Sequence, residues 1–252
     1  MSAALLEVDN ITVSFEGFKA LDGFSLKLQP ASVRVLIGPN GAGKSTLCDA
    51  IIGRVRTCGG RIGFRGRDIT RRREHAIVRQ GICRKFQTPG VLDNLSVHDN
   101  LALAARRHRG CWRSFGAGIS GEAQARIDEV LDLVGLRAQR TRLAGALAHG
   151  QKQWLELGMV VASDADLLLL DEPAAGMTQD EAAQAAELIR RLARHHSFLV
   201  IDHDMNFVAR LEAPVSVMHM GRMLKEGTLE EIRRDPQVAA VYLGRVEEAS
   251  VA

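Results

Sequence analysis

The chain has 252 residues, 46% of them hydrophobic and 25% charged, with a net charge of +3 and a pI near 8.8. That describes a folded globular protein rather than a disordered one, and so mild a charge singles out no nucleic-acid partner. Four cysteines (Cys48, Cys58, Cys83, Cys111) without a C-x-x-C pair argue against a disulfide framework or a zinc site. No apolar run is long enough to span a bilayer, and Met1–Ala4 leads into a strand-like run without the charged and apolar regions of a signal peptide.

In chain order, Leu6–Val8, Ile11–Phe15 and Phe24–Leu28 alternate apolar and polar side chains, punctuated by Gly17 and Asp22-Gly23. They predict an antiparallel set of short strands. Phe15 offers a π-face to an adenine ring; without a nucleotide beside it, it is a core phenylalanine at a strand end.

Val33–Ile37 reads as a buried strand, and Gly38-Pro39-Asn40-Gly41-Ala42-Gly43-Lys44-Ser45-Thr46 follows it with the pattern G-x-x-x-x-G-K-[ST]. A strand, a glycine-rich turn and the helix start at Leu47–Ile52 aim backbone N–H groups and the helix dipole into one concavity, which suits phosphate. Lys44 is expected to reach the β- and γ-phosphates of a nucleoside triphosphate and Ser45 to ligate Mg²⁺.

Residues 60–67 read as a further short strand and turn. The basic stretch opening at Arg71-Arg72-Arg73 reads as a solvated helix face, since no aromatics interleave it. After the strand-like Gly81–Phe86 comes Gln87, and Thr88-Pro89-Gly90 breaks the pattern. From there to about residue 162 the character is helical, with Ile127, Val130, Leu131 and Val134 at i, i+3, i+4 and i+7 and a glycine-containing loop over Arg106–Ser120. Ala165–Glu172 is a second central strand with carboxylates at its C-terminal end, where ligands of parallel α/β sheets bind, so Asp171 and Glu172 belong beside the phosphates. Thr178–Glu181 is a capping box, Phe198–Asp202 a third buried strand with His203 just past it, and Val215–Met218 a further one. Val246–Ala252 is too small and polar to promise order.

Leu147-Ala148-His149-Gly150-Gln151 resembles the L-S-G-G-Q signature of ATP-binding cassette (ABC) proteins, and the other motifs fall in that family's order over nearly the whole chain. The resemblance implies a single nucleotide-binding domain over 1–252. Its α/β fold would be a phosphate-loop NTPase (RecA-like) core at about 1–88 and 163–245, with an N-terminal antiparallel β subdomain and an α-helical subdomain inserted at about 89–162. It implies an ATPase in which Glu172 is general base, Asp171 holds Mg²⁺, Gln87 senses metal and water, and His203 contacts the γ-phosphate. The signature, Ala148 to Gln151, would close on the ATP of a second subunit, either a copy of itself or a similar cassette. Ala148 stands where the family has serine, His149 where it has glycine, and Thr178 where it commonly has aspartate.

Residues 149–154 and 171–178 are most similar to cassettes of bacterial branched-chain amino acid importers, within them the urea and short-chain-amide branch; Arg84–Gln87 and Val241–Arg245 fit the same group. The implied partners are two transmembrane permease subunits, docked near Gln87–Asn100 with Val91, Leu92, Leu95 and Val97 as the apolar contact, and indirectly a periplasmic solute-binding protein. No nucleic acid is implied, and the chain would sit peripherally on the cytoplasmic face of the inner membrane. Alternatives are a branched-chain amino acid importer ATPase, a lipid or polysaccharide exporter ATPase and a soluble cassette acting on ribosomes or DNA.

Overall fold

The computed structural model describes residues 3–85, 90–106 and 121–248. The first antiparallel pair is longer than its sequence pieces suggest: β1 runs unbroken over Leu6–Phe15 and pairs with β2, Phe18–Leu28. The two apolar pieces join because Asn10, at φ 50°, forms an irregularity in the register that lets Val8 and Ile11 both face inward. Glu16 and Gly17 both take positive φ in the tight turn between the strands. β3 (Val33–Ile37) leads into α1 (Lys44–Ile51), after which β4 (Gly59–Phe64) and β5 (Arg67–Asp68) return to complete a sheet of order β2-β1-β4-β5.

Arg71–Arg73 correct the helix-face expectation. They lie in the turn before α2 (Glu74–Val78), exposed, and Gly53 comes so close that a Cβ there would collide with the Arg72 carbonyl.

The second sheet has the order β10-β9-β3-β8-β7-β6, built from β6 (Ile82–Lys85), β7 (Leu167–Asp171), β8 (Ser197–Ile201), β9 (Val215–His219) and β10 (Arg222–Gly227). All pairings are parallel except β9 with β10. β7 and β8 are buried at every position, as a parallel sheet covered on both faces requires. Each fully buried leucine there contributes about 1.5–3 kcal/mol relative to exposure.

Between β6 and β7 lie α3 (Val97–Arg106), α4 (Gly121–Leu133) and α5 (His149–Ala162), which share a core of their own through Leu101, Ile127, Val130, Leu131 and Leu155. Buried Asn100 pins the approach to α3, accepting from the Leu92 N–H at 2.8 Å and donating to the Ser96 carbonyl at 2.9 Å. Val97 is fully buried in this core, which removes it from any docking surface; Leu92 is exposed.

The helix α6 (Gln179–Leu192) begins at the expected capping box: the Glu181 N–H donates to Thr178 Oγ1 at 3.3 Å, and the Thr178 N–H to Glu181 Oε2 at 2.9 Å. After α7 (Met205–Leu211) and α8 (Leu229–Arg234), α9 spans Pro236–Glu248 and so continues through residues expected to lack order. Asp235 caps its first turn ahead of Pro236, and Val238 and Tyr242 seat it on the core.

Candidate functional site

The strand order brings the site together. β8 lies between β3 and β7, so the phosphate loop after β3, Asp171-Glu172 at the end of β7 and Asp202-His203 after β8 share one edge of the sheet. The loop's glycines are needed in two ways. Gly43 sits in left-handed conformation at φ 108° as the N-cap of α1, and Gly38 and Gly43 pack so closely that a Cβ would collide with the carbonyls of Met218 and Ala20. Gly221 ties the loop to the first sheet: its N–H donates to Ala42 O at 2.8 Å and its carbonyl accepts from the Asp22 N–H at 3.0 Å.

Lys44 Nζ lies inside the curl, donating to the carbonyls of Gly38 and Pro39 at 2.6 and 3.0 Å. Asn40 and Gly41 are on the open side, and Ser45 and Thr46 occupy the first turn of α1. Ser45 Oγ donates to Asp171 Oδ2 at 3.2 Å. A hydroxyl and a carboxylate at this spacing are oxygen donors of the kind Mg²⁺ prefers, so the donor set fits that ion.

Glu172 follows at φ 48°, a left-handed backbone unusual for a glutamate, held there by its N–H donating to Ile201 O at 2.8 Å. His203 Nδ1 stands 3.3 Å from Glu172 Oε1, and its side chain is 69% exposed, so it is no core histidine. Neighbouring Asp202 is buried and takes the N–H groups of His203 and Asp204 on Oδ1. Burial raises its carboxyl pKa above the ordinary value despite those two bonds.

Phe15 is 46% exposed at the end of β1, so it is not a core residue, and it pairs across the hairpin with Phe18, 68% exposed. Phe18, not Phe15, borders the cleft of about 670 Å³ beside Pro39–Ala42. Gln87 lies outside the described residues.

In the signature segment Ala148 is the N-cap and α5 begins at His149, so Gly150 and Gln151 lie in its first turn. The Ala148 N–H donates to Gln151 Oε1 at 3.2 Å, while alanine offers no oxygen in return to the first turn. The His149 ring rests on Gly176, in the turn after Glu172: a Cβ on Gly176 would stand 2.8 Å from His149 Nε2. Gly150 likewise faces the Glu181 carboxylate, at 3.0 Å from where its Cβ would lie.

Sequence reasoning missed Arg84. Only 7% exposed, it joins Asp171 at 3.2 Å to Asp49 of α1 at 2.6 Å. The available signal was an arginine directly after the apolar Ile82-Cys83 of a strand, where a buried guanidinium requires a carboxylate partner. Cys48 beside it is fully buried, its thiol pushed up to about 12 by desolvation, and so unreactive.

The family profile described as ABC transporter matches residues 21–175, which includes the phosphate loop, signature and Asp171-Glu172. The chain belongs to the ABC transporter family. A second profile, branched-chain amino acid ATP-binding cassette transporter, matches residues 226–248 of this ABC ATPase. The high-affinity branched-chain amino acid transport ATP-binding protein BraF of Pseudomonas aeruginosa is 35% identical, the match covering 97% of this chain and 99% of that protein. Its counterpart LivG of Escherichia coli is 33% identical at the same coverage.

Among solved structures, a nucleotide-free ATP-binding cassette from an ABC transporter superposes with TM-score 0.83 at 30% identity, covering 95% of this chain and 99% of that one. The ADP conformation of an ATP-binding cassette gives TM-score 0.84 at 30% identity over 96% and 100%. The phosphate-loop α/β fold expected from sequence is the fold of these cassettes. Among the described residues, no helix is long and apolar enough to cross a membrane.

Proposed function

We propose that this ABC ATPase powers an importer of branched-chain amino acids, as one of two cassettes working against two membrane-spanning permease subunits. The observation that carries the solute class is the branched-chain profile over residues 226–248, which adds to the BraF and LivG likeness over nearly the full chain. The urea branch suggested by residues 149–154 and 171–178 has no support among these relatives, and the broader reading takes its place. Uptake would be energised from the cytoplasmic face of the membrane, with a solute-binding protein on the far side delivering the cargo.

In this reading the triphosphate lies on the N–H groups of Gly41–Thr46, with Lys44 against the β- and γ-phosphates and Phe15 under the adenine. Mg²⁺ held by Ser45 and Asp171, with Gln87 contributing, would neutralise charge on the phosphate oxygens. Glu172 takes a proton from water as the water oxygen bonds to the γ-phosphorus and the bond to the β-phosphate oxygen breaks. His203, 3.3 Å away, orients that carboxylate and faces the γ-phosphate. The second subunit's Ala148–Gln151 closes the site through the open N–H groups of its α5.

Glu172→Gln should abolish turnover yet retain ATP binding, and trap an ATP-bound dimer visible by size exclusion; hydrolysis near the wild-type rate would overturn the assignment. Cells lacking the chain should lose uptake of labelled leucine and keep uptake of urea. The opposite pattern restores the urea reading.

A further inference from the structure

Arg84 closes a ring of charge around the head of α1. Its Nη1 donates to Asp49 Oδ1 at 2.6 Å and its Nη2 to Asp171 Oδ2 at 3.2 Å, the same oxygen that receives the Ser45 hydroxyl. Ser45 and Asp49 are four residues apart on α1 and therefore share a face. Arg84 pairs with Leu169 on β7, two residues before Asp171, so the guanidinium and the carboxylate project from the same side of the sheet. The members of the ring thus come from rigid elements, and two of them are almost wholly enclosed: Arg84 at 7% exposure and Asp171 at 2%.

Two carboxylates and a hydroxyl converging on rigid elements are the oxygen donors a hard divalent cation seeks. Here a permanent cation already stands among them, because a guanidinium does not lose its proton in a protein. We propose that Arg84 is a resident countercation for Asp49 and Asp171: it denies the site to a free divalent ion and makes metal binding depend on the nucleotide, whose phosphates bring the missing ligands. The inference rests on the reading of Asp171 as the metal aspartate.

Asp49 has a distinct part in it. By neutralising Arg84 it leaves Asp171 with charge to offer; without Asp49 the guanidinium bears on Asp171 alone and competes with the metal. Among the described residues, both side-chain hydrogen bonds to Asp171 fall on Oδ2, which orients Oδ1 toward an incoming ligand.

The test uses the full chain, with folding checked by thermal melting. Mn²⁺ alone, titrated calorimetrically without nucleotide, should bind Arg84→Gln at least about tenfold more tightly than wild type, as the donor set loses its countercation. Adding Asp171→Asn should erase that gain, and Arg84→Lys, which keeps the charge, should show none. A folded Arg84→Gln with no gain overturns the proposal.

Should Arg84→Gln fail to fold, Asp49→Asn carries the test. The ratio of ATP dissociation constants in EDTA and in Mg²⁺ should fall about fivefold, with the EDTA value within about twofold of wild type. An unchanged ratio, or both constants worsening together, overturns the proposal. Asp171→Asn alone separates the two readings. If it leaves the Mg²⁺ dependence of ATP binding intact, the metal assignment itself fails. If it abolishes that dependence while the Arg84 and Asp49 variants behave as wild type, only the countercation role fails.

Discussion

Residues at the ends of β7 and β8 are held in states that isolated side chains would avoid. Glu172 adopts φ 48°, and such a conformation persists only because the surroundings over-determine it. Asp202 is the second case. Its Oδ2 is buried with no hydrogen-bond partner among the described residues, and desolvation raises its pKa above 3.8, partly offset by the N–H groups of Asp204 and His203. A carboxyl whose pKa is raised on folding favours the folded state below the unfolded pKa. That contribution is lost as pH rises through the folded value. At neutral pH the charged form therefore costs stability. Asp202→Asn keeps an oxygen for the two N–H donors and should raise the Tm at pH 7, with an advantage that shrinks as pH falls toward 3.8. A variant melting below wild type at pH 7 would contradict a desolvation cost at this carboxyl.

At the scale of elements, α5 and α6 present their N-termini to each other's loops. The start of α6 is fully capped by Thr178 and Glu181, whereas α5 begins at an alanine that leaves its first-turn N–H groups open. The His149 ring lies on Gly176 of its own chain, so closure on the opposite ATP is expected to rely on backbone N–H groups rather than on the imidazole. Ala148→Ser, in a Glu172→Gln background, adds a hydroxyl donor and should tighten the ATP-bound dimer about tenfold if about 1.4 kcal/mol of the bond survives. His149→Gly should leave the dimer constant within about twofold, since no bond to phosphate is removed. The reverse pattern in analytical ultracentrifugation, with the serine silent and the glycine weakening the dimer, would make His149 the donor.

For the whole molecule, the proposed reading has each complete site formed by the phosphate loop of one chain and the signature helix of another. Among the described residues, large exposed apolar side chains fall in separate places: Phe18 and Met220 by the phosphate loop, Phe15 at the end of β1, and Leu92, Leu103 and Leu143 on the helical layer. A stable interface needs about 800 Å² per partner, which such scattered residues do not supply. The chain without nucleotide is therefore expected to elute as a monomer or weak dimer. A firm dimer at micromolar concentration before ATP is added would point to a different interface.

The sequence by itself determined what depends on neighbours along the chain. The apolar runs at 33–37, 167–171 and 197–201 read as buried strands, the glycines and Lys44 of 38–46 as a phosphate-type turn, and Thr178 with Glu181 as a helix start. Tertiary structure decided what depends on distant partners. Nothing local places β8 between β3 and β7, yet that order delivers Glu172 and His203 to the phosphate loop. Arg84 meets carboxylates 35 and 87 residues away, and His149 meets Gly176 across a whole strand. Periodicity and capping report short-range sterics and hydrogen bonding, whereas the pairing of buried charges is settled by which desolvated groups the packed sheet leaves facing one another.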